Sequence, residues 1–162
     1  MKRKISAFIL LLILLNVSAC THIPSPEITK AEFPFEIVYE IDGETIVIND
    51  VFICEYDGIE WNEGQGRHRQ WNGYVKSTGK DYVVLLEDGN LKFACKVGTA
   101  AYYMGDPSMA NAGEYTPSIY YIRTFESGGV SSGVAGIEPL LEEYKIKLVS
   151  YKLSKPVENS FK

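Results

Sequence analysis

The chain has 162 residues, a formal net charge of −5 and 46% apolar residues. This length is sufficient for one domain with its own core. The acidic balance argues against nucleic acid as a partner, because phosphate binding requires a basic field.

The first segment of the chain has the order of a secretory signal. Three basic residues at positions 2–4 precede an apolar run over residues 5–15, and small residues follow before Cys20. The run is about a dozen residues long, whereas a membrane-spanning helix needs roughly 20, so we predict a cleaved signal peptide over residues 1–19. Because the signal holds three of the 16 basic residues and none of the 21 acidic ones, cleavage leaves a formal charge of −8.

The residues Val17-Ser18-Ala19-Cys20 resemble the lipobox of bacterial lipoproteins, in which an aliphatic residue and two small residues precede a cysteine. The resemblance implies that Cys20 is acylated on its sulfur and becomes the new N-terminus. It implies a lipid-anchored protein at the extracytoplasmic face of the cell membrane. The two or three acyl chains of this class would make attachment permanent, since one chain holds a protein only marginally. In signal and size, the chain is similar to small, mostly uncharacterised bacterial lipoproteins.

The segment after the signal is predicted to be a tether. Residues 20–32 include two prolines and few large apolar side chains, which keeps such a segment extended and holds the domain a short distance off the membrane. Residues 33–156 are predicted to form a single β domain. Residues 157–162 are predicted to be a frayed tail.

Alternating apolar and polar residues predict strands over most of the domain. The first covers residues 33–41, and Asp42-Gly43 joins it to a run over 45–56 with a bulge or turn at 49–50. Residues 57–70 are polar and glycine-rich, which indicates a loop. Further strands are predicted over residues 70–76, 82–86, 91–97, 119–125 and 145–153, the last with a bulge near Val149.

Three segments lack a strand pattern. Residues 98–117 have no clear period and could hold a short strand at 100–104, and residues 128–133 are interpreted as a flexible connection. Residues 138–144 could form one or two helical turns, with Pro139 at a first-turn position. The whole pattern predicts an all-β fold, an antiparallel β-sandwich or small barrel of about seven to nine strands, with at most one short helix.

Two cysteines, Cys54 and Cys95, lie within the domain of a protein expected to be exported. Such a pair is compatible with a disulfide, which would stabilise the fold by roughly 3–4 kcal/mol by closing a loop of about 42 residues. Alternation directs both sulfurs to the same apolar interior. Two buried free thiols are the alternative, since cysteine is among the most buried residue types.

His68 is the one histidine of the predicted domain, and Asp57, Glu60 and Glu63 lie near it in the sequence. A histidine supported by a carboxylate can act as a general base, so an envelope hydrolase is the alternative function. We favour a solvated imidazole between two arginines. The sequence contains no nucleophile elbow, P-loop or metal-ligand spacing, and we expect no catalytic constellation, metal or cofactor.

Aromatic residues are the stronger indication of function, with 11 Tyr, 7 Phe and 2 Trp in the chain. Their amphipathic rings offer contact area at low entropic cost, although such rings also fill the cores of small β domains. The candidate ligand-binding residues are Trp61, His68, Trp71, Tyr74, Tyr102 and Tyr103. We predict a non-catalytic binding or structural module of the cell envelope, with a protein or a cell-wall glycan as partner.

Overall fold

Two four-stranded antiparallel sheets make up the fold in the computed structural model, which describes residues 22–112, 115 and 117–162. The sheets pack face to face as a sandwich, which confirms the predicted fold class. The predicted signal peptide and the lipidation site Cys20 lie outside the described residues.

The first sheet has the strand order β3-β2-β1-β8. Its members are β1 (Lys30–Ile41), β2 (Glu44–Asn62), β3 (Gly66–Val75) and β8 (Ile146–Leu153). Asp42 and Gly43 join β1 to β2, and their φ angles of 51° and 84° are both positive, as a type I′ turn requires. The predicted hairpin is therefore confirmed, but the bulge or turn expected at residues 49–50 is wrong, because these residues pair with β1 without a break.

β2 and β3 continue past the beginning of β1 as a projecting hairpin. β1 begins opposite Glu55, and a register shift around Gly58 separates the main sheet from the projection. We call residues 57–69 the hairpin arm. The loop predicted over residues 57–70 is wrong, because these residues pair as strands on both sides of a turn at 63–65.

The second sheet has the strand order β4-β5-β6-β7. Its members are β4 (Tyr82–Asp88), β5 (Leu91–Lys96), β6 (Ile119–Thr124) and β7 (Val130–Val134). The first three strands lie on segments that the sequence predicts to be strands. The flexible connection predicted over residues 128–133 is wrong, because Ser131 and Gly133 of β7 pair with Arg123 and Tyr121 of β6.

Short helices connect the strands, and they are α1 (Ala100–Tyr103), a 3-10 turn (Pro107–Met109) and α2 (Ile137–Glu142). The helical turns predicted over residues 138–144 are confirmed by α2. The short strand predicted at residues 100–104 is wrong, because the Met104 amide donates to the Ala100 carbonyl at 2.9 Å, as in a helical turn. α1 is therefore a second short helix, where at most one was expected.

The predicted bulge in β8 is confirmed. Val38 of β1 is opposite Ser150, whereas the next residue, Tyr39, is opposite Leu148. Val149 is the extra residue on β8, and its side chain is 48% exposed. This extra residue accounts for the change of apolar phase within the strand.

The facing sides of the two sheets form one apolar core. Phe52 and Ile37 of the first sheet are fully buried, and Phe93 of the second is 4% exposed. Each such side chain stabilises the fold by about 1.5–3 kcal/mol relative to an exposed one. The largest fully buried side chains are Phe52, Ile37, Met104, Ile146, Val75, Val97, Cys54 and Cys95.

The segments before β1 and after β8 lie side by side. The Ser25 amide donates to the Lys162 carbonyl at 2.8 Å. The side-chain amide of Asn159 accepts from the Ile28 amide and donates to the Ile28 carbonyl, both at 2.9 Å. The frayed tail predicted over residues 157–162 is wrong, because the tail is hydrogen-bonded to the tether.

Candidate functional site

The candidate ligand-binding residues do not form one site. Side chains alternate along β3, so Trp71 lies on the core-facing side with buried Val75, whereas His68 and Tyr74 lie on the opposite side. Trp61 is in the hairpin arm and is 66% exposed. Tyr102 and Tyr103 lie on α1, so the six residues occupy separate parts of the molecule.

A buried ion pair occupies the core-facing side of β3. Asp106, which follows α1, is 3% exposed. Its carboxylate accepts hydrogen bonds from Arg69 Nε at 2.6 Å, from Trp71 Nε1 at 2.8 Å and from the Ser108 amide at 2.9 Å. Trp71, predicted to bind a ligand, is therefore held in a structural cluster, since a buried carboxylate requires such donors.

The ionised form of the Asp106 carboxyl group is strongly favoured over the protonated form. Burial raises the pKa of the carboxyl group, but the hydrogen bonds from Arg69, Trp71 and Ser108 together outweigh burial. The pKa therefore lies well below its ordinary value of 3.8. The carboxylate remains ionised, and the ion pair persists, throughout the neutral pH range.

Arg69 also joins the cluster to the segments before β1 and after β8. Its Nη1 donates to the Pro24 carbonyl at 3.1 Å, and its guanidinium carbon lies 4.6 Å from the centroid of the Phe161 ring. This distance is within the range of a cation–π contact. The cluster thus fixes the tether and the tail against the hairpin arm.

The His68 ring contacts a backbone carbonyl in the structure. Its Nδ1 lies 3.2 Å from the Gly66 carbonyl, and no ion pair with a carboxylate occurs among the residues described. Glu60 is opposite His68 in the strand register, and Asp57 accepts from Asn72 at 3.0 Å. In the described part of the chain, no three His, Cys, Asp or Glu side chains are grouped to hold a metal ion.

The two cysteines of the domain both lie in the core, as alternation predicts. Cys54 and Cys95 are fully buried free thiols in the structure. Burial raises the pKa of each thiol to about 12. A nucleophilic role for either sulfur is therefore unfavourable, because the thiolate is the reactive form.

A cleft of about 670 Å³ contains two of the candidate residues, Tyr102 and Tyr103. We call it the tyrosine cleft. It runs beside the second half of β8, and the rings of Tyr115 and Tyr151 line it with centroids 6.2 Å apart. Tyr102, Tyr115 and Tyr151 are half-buried, so each ring offers part of its surface to the cleft.

The hydroxyl groups of two cleft tyrosines are directed into the protein. Tyr115 donates to the Lys96 carbonyl at 2.8 Å, and Tyr151 donates to the Val97 carbonyl. Burial raises the pKa of Tyr115 to about 12 and raises that of Tyr151 further, so both remain donors. Tyr115 and Tyr151 therefore present mainly ring carbon atoms, rather than hydroxyl groups, to the cleft.

Two lysines lie at the rim of the tyrosine cleft. Lys152 and Lys155 line it, and the described lining residues include no Asp or Glu. Lys152 Nζ lies 2.7 Å from Glu36 Oε1, on the neighbouring strand β1. This ion pair offsets the charge of Lys152, so Lys155 carries the positive charge of the rim.

A second candidate surface lies at the edge strand β7. Val130 and Val134 are 65% and 74% exposed, and β7 has no proline or charged residue. Cavities of about 390 and 360 Å³ lie on either side of Leu140 in α2 and share Val134 and Ala135 as lining. Unprotected edges of this kind accept further strands.

The hairpin arm and the α2 region are at opposite ends of the sandwich. Thr29, just before β1, bonds to Tyr56 at the base of the arm, whereas Ile41 at the end of β1 is opposite Ile146 beside α2. The 12 residues of β1 span about 40 Å. Tether and tail therefore meet the domain far from α2.

Sequence reasoning missed the Asp106 cluster and the β7 edge. A weak signal for the first was Asp106 before Pro107, a pairing typical of a helix N-cap.

No protein-family model, curated protein or solved structure matches the chain significantly. No helix within the described ranges has the length and apolar character needed to cross a bilayer.

Proposed function

We propose that the protein is a lipid-anchored, non-catalytic binding module of the bacterial cell envelope, and that its tyrosine cleft binds an acidic cell-wall glycan. The anchor is inferred from the lipobox resemblance at Val17-Ser18-Ala19-Cys20. The observation that carries the ligand assignment is a cleft lined by tyrosine rings and edged by lysines.

The rings favour a sugar ligand over a charged small molecule. Tyr102, Tyr115 and Tyr151 present partly exposed carbon surfaces to one space. The apolar C–H face of a pyranose packs on such surfaces, while its hydroxyls stay in water at the open side. Rings with their hydroxyls already bonded, as in Tyr115 and Tyr151, lose little freedom when the ligand binds.

The lysines favour an acidic ligand. Lys152 and Lys155 line the rim, and Lys155 is the lysine that would attract an anion, since Lys152 is paired with Glu36. Cell-wall glycans of bacteria carry carboxylates on the sugar and on attached peptides. Because the rim is exposed, its attraction is screened by salt, and binding should weaken as ionic strength rises.

Co-sedimentation with purified peptidoglycan sacculi tests this function. Detergent-solubilised full-length protein should sediment with sacculi, and Tyr102→Ala should weaken binding by about fivefold or more, as for a central aromatic contact. Lys155→Glu should weaken binding at low salt and show a smaller effect at high salt. Lys155 is exposed, so its substitution should leave the fold intact, and circular dichroism checks the folding of both variants.

Tyr74→Ala is the matched control, since Tyr74 is a half-buried tyrosine on the far side of β3. It should sediment as the wild type does. Protein that stays in solution with sacculi, or equal binding by the Tyr102→Ala and wild-type proteins, would contradict the glycan assignment.

The β7 edge favours a protein partner as a second candidate. A segment in extended conformation would add to β7 through main-chain hydrogen bonds. Val130 and Val134 would contact its side chains, and the cavities beside Leu140, which Val134 also lines, would receive apolar side chains. The occupant expected here is an uncharged, apolar segment of another envelope protein.

A further inference from the structure

We propose that the tip of the hairpin arm rests in the interfacial layer of the same bilayer that holds the acylated Cys20. The inference rests on the lipid anchor of the proposed function and adds a second, non-covalent membrane contact. Trp61 and Ile59 are the side chains that would enter the layer.

The chain before β1 runs along the arm toward its tip. The Tyr56 amide, at the base of the arm, donates to the Thr29 carbonyl at 2.8 Å. Further along, Arg69, which is opposite Ile59 in the register, donates to the Pro24 carbonyl at 3.1 Å. From Thr29 back to Pro24, the tether therefore leads from the base of the arm toward its turn.

The remaining tether is too short to hold the domain away from the membrane. Three residues lie between Cys20 and Pro24, and the four steps along the chain give a reach of at most about 14 Å. The arm extends three residues beyond the pair formed by Ile59 and Arg69, or about 10 Å. These two lengths are similar, so the turn of the arm and an acylated Cys20 can lie at the same level.

The exposed side chains near the tip suit the interfacial layer. Trp61 is 66% exposed and Ile59 is 37% exposed, and both lie on one side of the arm because they are two residues apart in β2. Tryptophan is enriched at membrane interfaces, since its ring is apolar and its N–H bonds to water or headgroups. Neither residue is needed for the core.

The charges of the tip do not direct it to anionic lipid. Glu60 and Glu63 lie beside Arg67 and His68, so the turn has no excess of basic residues. Burial of Trp61 and Ile59 would supply the attraction. We therefore expect the contact to form equally well on neutral and anionic vesicles.

The junction between tether and domain is built to hold one orientation. Arg69 bonds to both Asp106 and Pro24, and the Ser25 and Lys162 backbones are paired. A fixed exit for the tether means that the arm faces the membrane continuously. The sequence predicts a spacer at this position, whereas Pro24 and Ser25 are bonded to the domain, and in our proposal the domain lies directly against the bilayer.

Fluorescence quenching by lipids tests the contact. The full-length lipidated protein is reconstituted in phosphatidylcholine vesicles with bromine on the upper acyl chains. Quenching should remove roughly half of the total emission, the share of one of the 2 tryptophans. Trp61→Phe should abolish the quenching, because Trp71 bonds to Asp106 and packs against Tyr56 with ring centroids 5.2 Å apart.

A tryptophan at the far end of β2 provides the control for orientation. Val47 is 51% exposed near the opposite end of that strand, so the double variant Trp61→Phe/Val47→Trp should not be quenched. Equal quenching at positions 47 and 61 would overturn the fixed orientation. Absence of quenching in protein that floats with the vesicles would overturn the membrane contact and leave the anchor standing. Protein that fails to float would instead overturn the anchor.

Discussion

At the scale of single residues, Asp106 receives donors from separate parts of the chain. Arg69 and Trp71 come from β3, and the Ser108 amide comes from the next turn. The side chains of Arg69 and Asp106 are 12% and 2% exposed. Loss of one member of so buried a pair leaves the other charge uncompensated.

Asp106→Asn should therefore destabilise the domain by about 3–5 kcal/mol at pH 7, measured by urea unfolding. The control is Asp81→Asn, which breaks the exposed ion pair with Lys96, in which both side chains are about half exposed. That change should cost less than about 1 kcal/mol. Equal effects of the two substitutions would show that burial of the Asp106 pair contributes nothing.

The loss of stability caused by Asp106→Asn should depend on pH. Because the folded-state pKa of Asp106 is lowered, its contribution is fully present above the ordinary value of 3.8 and is lost as the pH falls toward the folded-state value. The difference in stability between wild type and Asp106→Asn should be constant from about pH 7 to pH 5 and shrink below about pH 4. A difference that grows in acid would contradict the assigned sign.

Cys54 and Cys95 should resist modification while the domain is folded. With a pKa of about 12, about one thiol in 10,000 is ionised at pH 8, and both are fully buried. Maleimide should add to neither in the native protein and to both in urea without reductant, as mass spectrometry would show. Two unmodified cysteines in urea would indicate the alternative, a disulfide between them.

The burial of both cysteines could be predicted from the sequence, whereas the Asp106 cluster could not. Leu91, Phe93, Cys95 and Val97 alternate with Lys92, Ala94 and Lys96, and this local pattern is sufficient to assign the face of Cys95. Arg69 and Asp106 are 37 residues apart. Their contact depends on how α1 packs beside β3, which no local pattern records.

At the scale of the elements, β3 passes close to its neighbours at Gly73. A Cβ atom at this position would lie 2.5 Å from Phe52 Cζ and 3.1 Å from Ala100 Cβ. Phe52 is fully buried and cannot move aside without disturbing the core. Only glycine fits at position 73, because the space between the sheet and α1 has no room for a Cβ atom.

Gly73→Ala should destabilise the domain by about 1–3 kcal/mol through overpacking. Gly64→Ala in the turn of the hairpin arm is the matched control, since the nearest atom to its added Cβ is 3.7 Å away. Its thermal midpoint should stay close to that of the wild type. If Gly73→Ala is equally neutral, the core around Phe52 can accommodate an added methyl group, and the overpacking argument is wrong.

The β7 edge can be tested by photo-crosslinking in intact cells. A benzoylphenylalanine at Ser132 should give one heterologous adduct, and Val130→Lys/Val134→Lys should abolish it, because edge lysines oppose strand addition. Val47→Lys, at another exposed valine, should leave it unchanged. An adduct of twice the monomer mass would instead show that β7 pairs with a second copy.

Hairpins were predictable where turn and strand signals coincide, as at Asp42-Gly43. The hairpin arm was not, because it is exposed and needs no apolar alternation. β7 was missed for a related reason, since the sequence Val-Ser-Ser-Gly-Val has small residues where an inner face would have large ones. Its strand conformation comes from pairing with β6.

At the scale of the whole molecule, the two ends of the sandwich have different roles in our account. The tether, tail and hairpin arm meet at one end, held by the Arg69–Asp106 pair. α2 and the turn from β1 to β2 occupy the other. An anchor at Cys20 would bring the first end to the membrane and leave the second free.

The acylation of Cys20 is the claim on which the envelope function depends. Radiolabelled palmitate and intact-mass measurement of protein from the membrane fraction test it directly, with Cys20→Ser as the control. We predict a chain that begins at an acylated Cys20, with no label in Cys20→Ser. Unlabelled wild-type protein that retains residues 1–19 would contradict the account.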